Sequence, residues 1–292
     1  MNRIFQQVVS LIFYSNFFIA ACAAILVYET GTIFKLSPDI DWFSLLVFLC
    51  TVNIYGLHYY LKSLKPGDDT RMLWCRKNSF LIKSILIVFT IAIAYLAYTH
   101  SQILFSSNNL LWSLLIPILS IAYSFPFLPG RRALRHIGWL KLPLLAFVWS
   151  FVTVGLPVLY AGKTNLSQAW VLFANRYFFI MALAMLFNLR DYEEDKKENI
   201  FTPAVVMGPA KILSTGKWMI CILNMITTLL LIRVFQFQWP VQIIALFIPV
   251  ILLFLLFHYF RSDKNEIRFS LLHDGLMPVK ALLLIFAAGF PY

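Results

Sequence analysis

Charged residues make up only 13% of this 292-residue sequence, and its four cysteines, Cys22, Cys50, Cys75 and Cys221, form neither a Cys-x-x-Cys pair nor a secreted-framework spacing. The shortage of charge excludes an ordinary water-soluble globule. The scattered cysteines give no basis for a disulfide framework, a zinc site or a redox pair, and three of them lie inside apolar runs, where they read as small buried hydrophobes. No fixed-period repeat and no low-complexity linker interrupts the chain, so a single domain over residues 1–292 is the simplest organisation. Hydrophobic residues account for 61% of the chain, and most of it must therefore be solvated by lipid. The net charge of +11 does not point to nucleic acid, because the basic residues sit in short loops between apolar runs instead of gathering on one water-facing surface.

A hydrocarbon core of roughly 30 Å needs about 20 apolar residues per helix. Segments of that kind recur near residues 8–28, 40–61, 79–99, 109–127, 139–161, 168–189, 215–235, 239–259 and 274–290, which predicts an all-α polytopic membrane protein of about nine spans. The first run has no small-residue cleavage site after it and is read as a retained span, not a signal peptide. Of the 24 Lys and Arg residues, eighteen fall on the side of Arg3, three (Lys35, Lys163 and Arg233) on the other, and Lys83, Arg176 and Lys280 within spans. That asymmetry predicts a cytoplasmic N-terminus and puts the longer, polar loops in the cytoplasm.

Proline is concentrated in the fourth and fifth spans and their connection, at Pro117, Pro126, Pro129, Pro143 and Pro157. Lipid supplies no hydrogen bonds, so these helices are expected in the bundle interior, where neighbours can satisfy the carbonyls that proline frees. Arg176, half-way down the sixth span, is either a cavity contact or a snorkelling residue, and Lys83 and Lys280 are expected to snorkel. Asp274 is placed as the N-cap of the last span, and Asp68 and Asp69 as a loop or cap pair. His58 and His258 at span ends read as structural histidines.

The segment with most chemical content is Asn188-Leu-Arg-Asp-Tyr-Glu-Glu-Asp-Lys-Lys, at the cytoplasmic end of the sixth span. Asp191 and Asp195 stand four apart, so on a continuing helix they share one face. Such a pair suits Mg²⁺ shared with phosphate oxygens, and it equally suits a solvated helix end. Followed by Thr202, Pro203, Val205, Val206 and Gly208, this stretch resembles the second aspartate-rich motif of the UbiA prenyltransferase superfamily, and Ala122-Tyr-Ser-Phe-Pro-Phe-Leu-Pro-Gly-Arg-Arg resembles that family's Tyr-Ser-x-Pro stretch.

The resemblance implies a bundle of nine helices around a central cavity, in which a polyprenyl group passes from a diphosphate to an acceptor with Mg²⁺ held by two aspartate-rich motifs. By position, Asp191 and Asp195 would be metal ligands and, with Arg190 and Lys196, the catalytic set. Asn53, His58, Lys62, Tyr123, Arg131, Arg132 and Asn188 would face the substrate. The sequence departs from the family at the first motif: the run Asn53-Ile-Tyr-Gly-Leu-His-Tyr-Tyr-Leu puts Ile54, Leu57 and Leu61 at its three acidic positions.

Two functions follow. One is a Mg²⁺-dependent prenyltransferase acting on an isoprenoid diphosphate. The other is a catalytically degenerate bundle that binds lipid or quinone, or serves as a subunit of a larger complex. Both place the chain in the bacterial inner membrane. A transporter would call for paired discontinuous helices and charged midplane residues, of which only Arg176 lies near mid-depth, and a channel for a filter motif, which is not evident.

Overall fold

The computed structural model describes residues 3–36, 41–67, 69–125, 133–162, 165–260 and 265–289, with the side chain of Arg3 excepted. Among them every regular element is helical. In chain order these are α1 (Arg3–Tyr14), α2 (Phe17–Ile33), α3 (Asp41–Ser63), α4 (Thr70–Lys77), α5 (Ser79–Thr99), α6 (Ser101–Leu104), α7 (Leu110–Ser124), α8 (Gly138–Ser150), α9 (Leu156–Ala161), α10 (Leu166–Arg190), α11 (Tyr192–Lys197), α12 (Pro203–Met207), α13 (Pro209–Lys211), α14 (Lys217–Val234), α15 (Pro240–His258), α16 (Glu266–His273) and α17 (Leu276–Ala288). Single π-helical turns, Phe151–Gly155 and Ile212–Gly216, join α8 to α9 and α13 to α14.

Where it is described, each predicted span is mainly helical, but the number long and apolar enough to cross a membrane is seven among the described residues, or eight if the bent pair α1 and α2 counts as one. The first expected span straddles a break: Asn16 takes φ 69°, and the two helices meet at 57°. The fourth contributes only the fifteen-residue α7. The last span starts earlier than expected, at Glu266, so Asp274 is not an N-cap but stands with Gly275 in a two-residue turn between α16 and α17.

The interior is built on α10, which packs on α8 and α14, while α2 lies between α3 and α17. Leu26, Ala146, Phe179, Leu183, Leu186, Leu253 and Ala281 form its central cluster, each at most 2% exposed. With lipid outside, such contacts hold through close packing and buried polar bonds more than through removal of apolar surface from water. Helix α5 lies at the periphery, with Phe80, Ile87, Ile91, Tyr95 and Tyr98 exposed as lipid-facing residues should be.

The proline expectation divides. Helix α7 carries Pro117 yet buries only Ile116, so it is peripheral. At Pro157 the expectation is met. Proline has no N–H to give the carbonyl four residues back; that carbonyl, of Thr153, instead accepts the Thr30 hydroxyl of α2 at 2.7 Å. The adjoining π turn, where the Leu156 amide reaches the Phe151 carbonyl, carries the helix past the proline. Thr153 also turns its own hydroxyl to Arg176, whose guanidinium bonds it at 2.9 Å.

Arg176 is fully buried and pairs with Glu29 of α2 at 2.7 Å, which selects the interior reading of this residue over snorkelling. Lys83 is exposed, its ammonium 5.6 Å from the Tyr60 ring centroid, as a snorkelling lysine would be. Lys280 is 7% exposed and does not snorkel: α17 packs between α2 and α15 and turns it inward.

Candidate functional site

The ends of α3, α8, α10 and α11 converge with the loop that carries α12. Helix α10 stops at Arg190 because the backbone of Asp191 (φ −85°, ψ 8°) leaves helical values, and α11 resumes the spiral, with the Asp195 amide bonded to the Asp191 carbonyl at 2.9 Å. The two carboxylates are thus one turn apart along the chain, as their spacing predicts, but their side chains have different partners.

Asp195 is buried. Its two oxygens accept from the Lys141 ammonium at 2.7 and 2.8 Å, and one of them also accepts from the Asn188 amide at 2.8 Å. Burial raises the Asp195 carboxyl above the ordinary carboxylate range; Lys141 opposes the shift, and Asp191 and Glu194 add to it. Asn188 turns its oxygen to the Ala204 amide at 3.3 Å and so ties α12 to the end of α10. Thr202 caps α12 through its hydroxyl, and Gly208 takes φ 85°, the glycine turn expected there.

Asp191 accepts from Arg190 Nε at 2.8 Å, and the Arg190 guanidinium lies over the rings of Phe187 and Phe269 at 5.0 and 4.8 Å. Lys62 of α3 bonds Glu194 of α11 at 3.2 Å, and His58, one turn earlier, receives a bond from Arg135 at 3.1 Å. Tyr123 lies within electrostatic reach of Arg135, Asp191 and Asp195. Seven of the candidates named from sequence therefore stand together: Asp191, Asp195, Arg190, Asn188, Lys62, His58 and Tyr123.

Others stand apart. Asn53 donates to Thr90 of α5 at 3.0 Å, away from α11. Lys196 is exposed, 5.7 Å from the ring centroid of Tyr192. Arg131 and Arg132 lie outside the described residues, as does Asp68. Asp69 caps α4 by accepting the Arg71 amide at 2.9 Å. His258 is exposed at the end of α15 and stacks on Phe254.

Sequence reasoning missed Lys141, counted only as a loop cation, and Glu29, whose place just beyond the expected end of the first span hid it. The signal that would have found Glu29 is a lone acidic residue following an unbroken apolar run, Ile25–Tyr28, in a segment with no other charge between Arg3 and Lys35. It also missed Arg71, which bridges Glu266 and Asn16 while its guanidinium stacks 3.3 Å over the Tyr59 ring, fastening α4 to α3, α16 and the turn between α1 and α2.

Gly138 opens α8 directly against this loop. A Cβ there would sit 2.1 Å from the Phe201 carbonyl oxygen and 2.6 Å from the Thr202 nitrogen. Both are backbone atoms and neither can step aside. Gly138→Ala is therefore expected to destabilise the protein by about 1–3 kcal/mol through overpacking and to open the 198–208 segment to limited proteolysis; an unchanged digestion rate contradicts the packing described.

A model of the UbiA prenyltransferase family matches residues 76–276. The chain belongs to that family. Relatives include a 4-hydroxybenzoate octaprenyltransferase of Neisseria gonorrhoeae strain FA 1090, 29% identical over 117 residues, and one of Neisseria meningitidis serogroup B, 28% identical over the same length. Each alignment covers 39% of this chain and only 36% of the enzyme it matches. The UbiA fold extends over nearly the whole chain: the apo structure of a UbiA homolog from Aeropyrum pernix K1 superposes with a TM-score of 0.62 at 12% identity, over 91% of this chain and 96% of that one. A digeranylgeranylglyceryl phosphate synthase superposes with a TM-score of 0.57 at 15% identity, over 96% of each.

UbiA prenyltransferases work with Mg²⁺, and the described residues of this UbiA chain do not offer the ion a fitting donor set. Ile54, Leu57 and Leu61 carry no ligand atom. Among the described residues no group of three His, Cys, Asp or Glu side chains is arranged for a metal. An ion held by both carboxylates of the second motif would compete with Lys141 for both oxygens of Asp195 and with Arg190 for Oδ1 of Asp191, and the Lys62–Glu194 bridge already joins α3 to α11 directly.

Proposed function

We propose that this UbiA-family membrane protein is catalytically degenerate. In this reading it keeps the prenyltransferase bundle, carries out no Mg²⁺-dependent prenyl transfer, and serves as a lipid- or quinone-binding subunit of an inner-membrane complex, with its N-terminus in the cytoplasm. The observation that carries the proposal is the Lys141 ammonium seated on both oxygens of Asp195, together with apolar side chains at all three acidic positions of the first motif. Function is decided by the site and not by the fold. Here the negative charges that would gather metal and diphosphate are spent on protein cations.

Purified protein incubated with Mg²⁺ and labelled prenyl diphosphates of several chain lengths, with aromatic acceptors, is expected to give no Mg²⁺-dependent product, and Asp191→Asn is expected to behave as wild type. Turnover that requires Mg²⁺ and is lost in Asp191→Asn overturns the proposal and restores the prenyltransferase reading. The subunit role has its own check: affinity purification from native membranes is expected to bring down a stoichiometric companion, and a chain that always runs alone contradicts it.

A further inference from the structure

Helix α1 leaves α2 at 57° and packs against α2 and α4 at the edge of the bundle. The bend between them is held by side chains. Asn16, in the left-handed region at φ 69°, is buried, and its side-chain oxygen accepts from Arg71, which is tied in turn to Glu266 and Tyr59. Tyr14 is buried with its ring 5.7 Å from that of Trp74 on α4, and Phe13 stacks on Phe18 across the bend with 4.6 Å between centroids.

The direction so fixed is not that of a span. Helix α2 has 17 residues, about 25 Å of helix, and covers most of a hydrocarbon core about 30 Å thick by itself. The 12 residues of α1 make about 18 Å of helix, and at 57° they advance only about 10 Å further along the axis of α2. With α2 filling the core, that short advance leaves α1 at headgroup depth.

The side chains of α1 suit that depth. Phe5, Val8 and Ile12, at i, i+3 and i+7, share one face and are exposed. Gln6, Gln7 and Ser10 take the opposite face, and both glutamines are exposed. No Lys, Arg, Asp or Glu stands between Arg3 and Glu29. Apolar surface also continues round the bend: Phe17 lies 6.0 Å from both Phe48 of α3 and Phe89 of α5, the helix whose outer side chains face lipid.

We propose that α1 lies along the membrane interface on the α4 side of the bundle, with Phe5, Val8 and Ile12 in the acyl boundary, and that α2 alone makes the first crossing. The partner of this face is the bilayer surface. Contact comes through apolar insertion and not through attraction to anionic lipid, because the polar face is glutamine and serine. It is independent of the cytoplasmic cluster and of the function proposed for it.

The test uses the full chain in liposomes, with its native cysteines replaced by alanine. One nitroxide at a time is placed on Phe5→Cys, Gln6→Cys, Gln7→Cys, Val8→Cys or Ile12→Cys, and on Ile87→Cys of α5 as the mid-core reference. Power saturation against oxygen and a water-soluble nickel chelate is expected to give oxygen-to-nickel ratios several-fold higher at 5, 8 and 12 than at 6 and 7. Those three labels should share one depth, about 5–10 Å into the headgroup and acyl boundary, shallower than residue 87. The pattern should be the same in phosphatidylcholine vesicles with and without phosphatidylglycerol. Depth that increases steadily along α1 means that it crosses the bilayer, and nickel access at all five positions means that it stands in water. Protection from both agents at 5, 8 and 12 means that protein covers the face, and loss of the pattern without phosphatidylglycerol means that charge drives the contact. Each of these results overturns the proposal.

Discussion

Glu29→Leu and Arg176→Met, made singly, are each expected to lower stability by about 3–5 kcal/mol, whereas the double variant Glu29→Leu/Arg176→Met should recover most of that loss. Each single change leaves a charge at a point from which water and lipid headgroups are both excluded, since both side chains are 0% exposed. Removing both removes the desolvation cost along with the attraction. The pair is also the hub of a wider arrangement: Arg176 bonds the Thr153 hydroxyl and the Leu26 carbonyl, and the Thr153 carbonyl freed by Pro157 takes the Thr30 hydroxyl. Helices α2, α8–α9 and α10 are therefore locked at one level. Unfolding in mixed micelles, run as a double-mutant cycle, reads the coupling directly. Single variants within about 0.5 kcal/mol of wild type would mean that the pair has water or another counter-charge beside it.

Lys141→Met should produce a loss of comparable size, with a pH dependence that identifies its origin. Asp195 remains buried against Asn188 without its cation, at a cost of about 3–5 kcal/mol at neutral pH. Its carboxyl is already raised by burial in the wild type, and losing Lys141 raises it further. A group whose pKa is higher folded than unfolded supports the folded state while protonated, and that support is lost as pH rises through the folded value. The variant should therefore approach wild-type stability in mild acid and fall away progressively as pH increases, and Lys141→Met/Asp195→Asn should flatten the dependence. Thermal unfolding across pH checks this. A deficit independent of pH would assign the loss to packing of the lysine stem instead.

How far the sequence revealed this molecule depended on the length scale of the signal. Apolar runs of about 20 residues report on the solvent around a helix, so the all-helical membrane fold and the position of nearly every span were legible. Breaks inside a run were not. The bend at Asn16 and the near-continuity of α16 and α17 through Asp274 depend on one or two backbone dihedrals that hydropathy does not register. The convergence of Asp191, Asp195, Asn188 and Lys62 could be read from a motif, because helical spacing fixes side-chain direction locally. Their partners could not. Lys141 lies 54 positions from Asp195 in the chain, and Arg176 147 positions from Glu29, so these pairs exist only once the helices pack. For the same reason Lys280 was misjudged: depth along a helix could be estimated from sequence, but the direction it faces is set by the neighbours of α17.

With Lys141 on Asp195 and Arg190 on Asp191, the second aspartate-rich motif is expected to hold no divalent metal. Titrating purified wild-type protein with Mn²⁺ as a paramagnetic stand-in for Mg²⁺, and following free ion by electron paramagnetic resonance, addresses that directly. The expected result is no stoichiometric binding in the micromolar range and no difference between wild type and Asp191→Asn. One equivalent of tightly held Mn²⁺ that disappears in Asp191→Asn would contradict it.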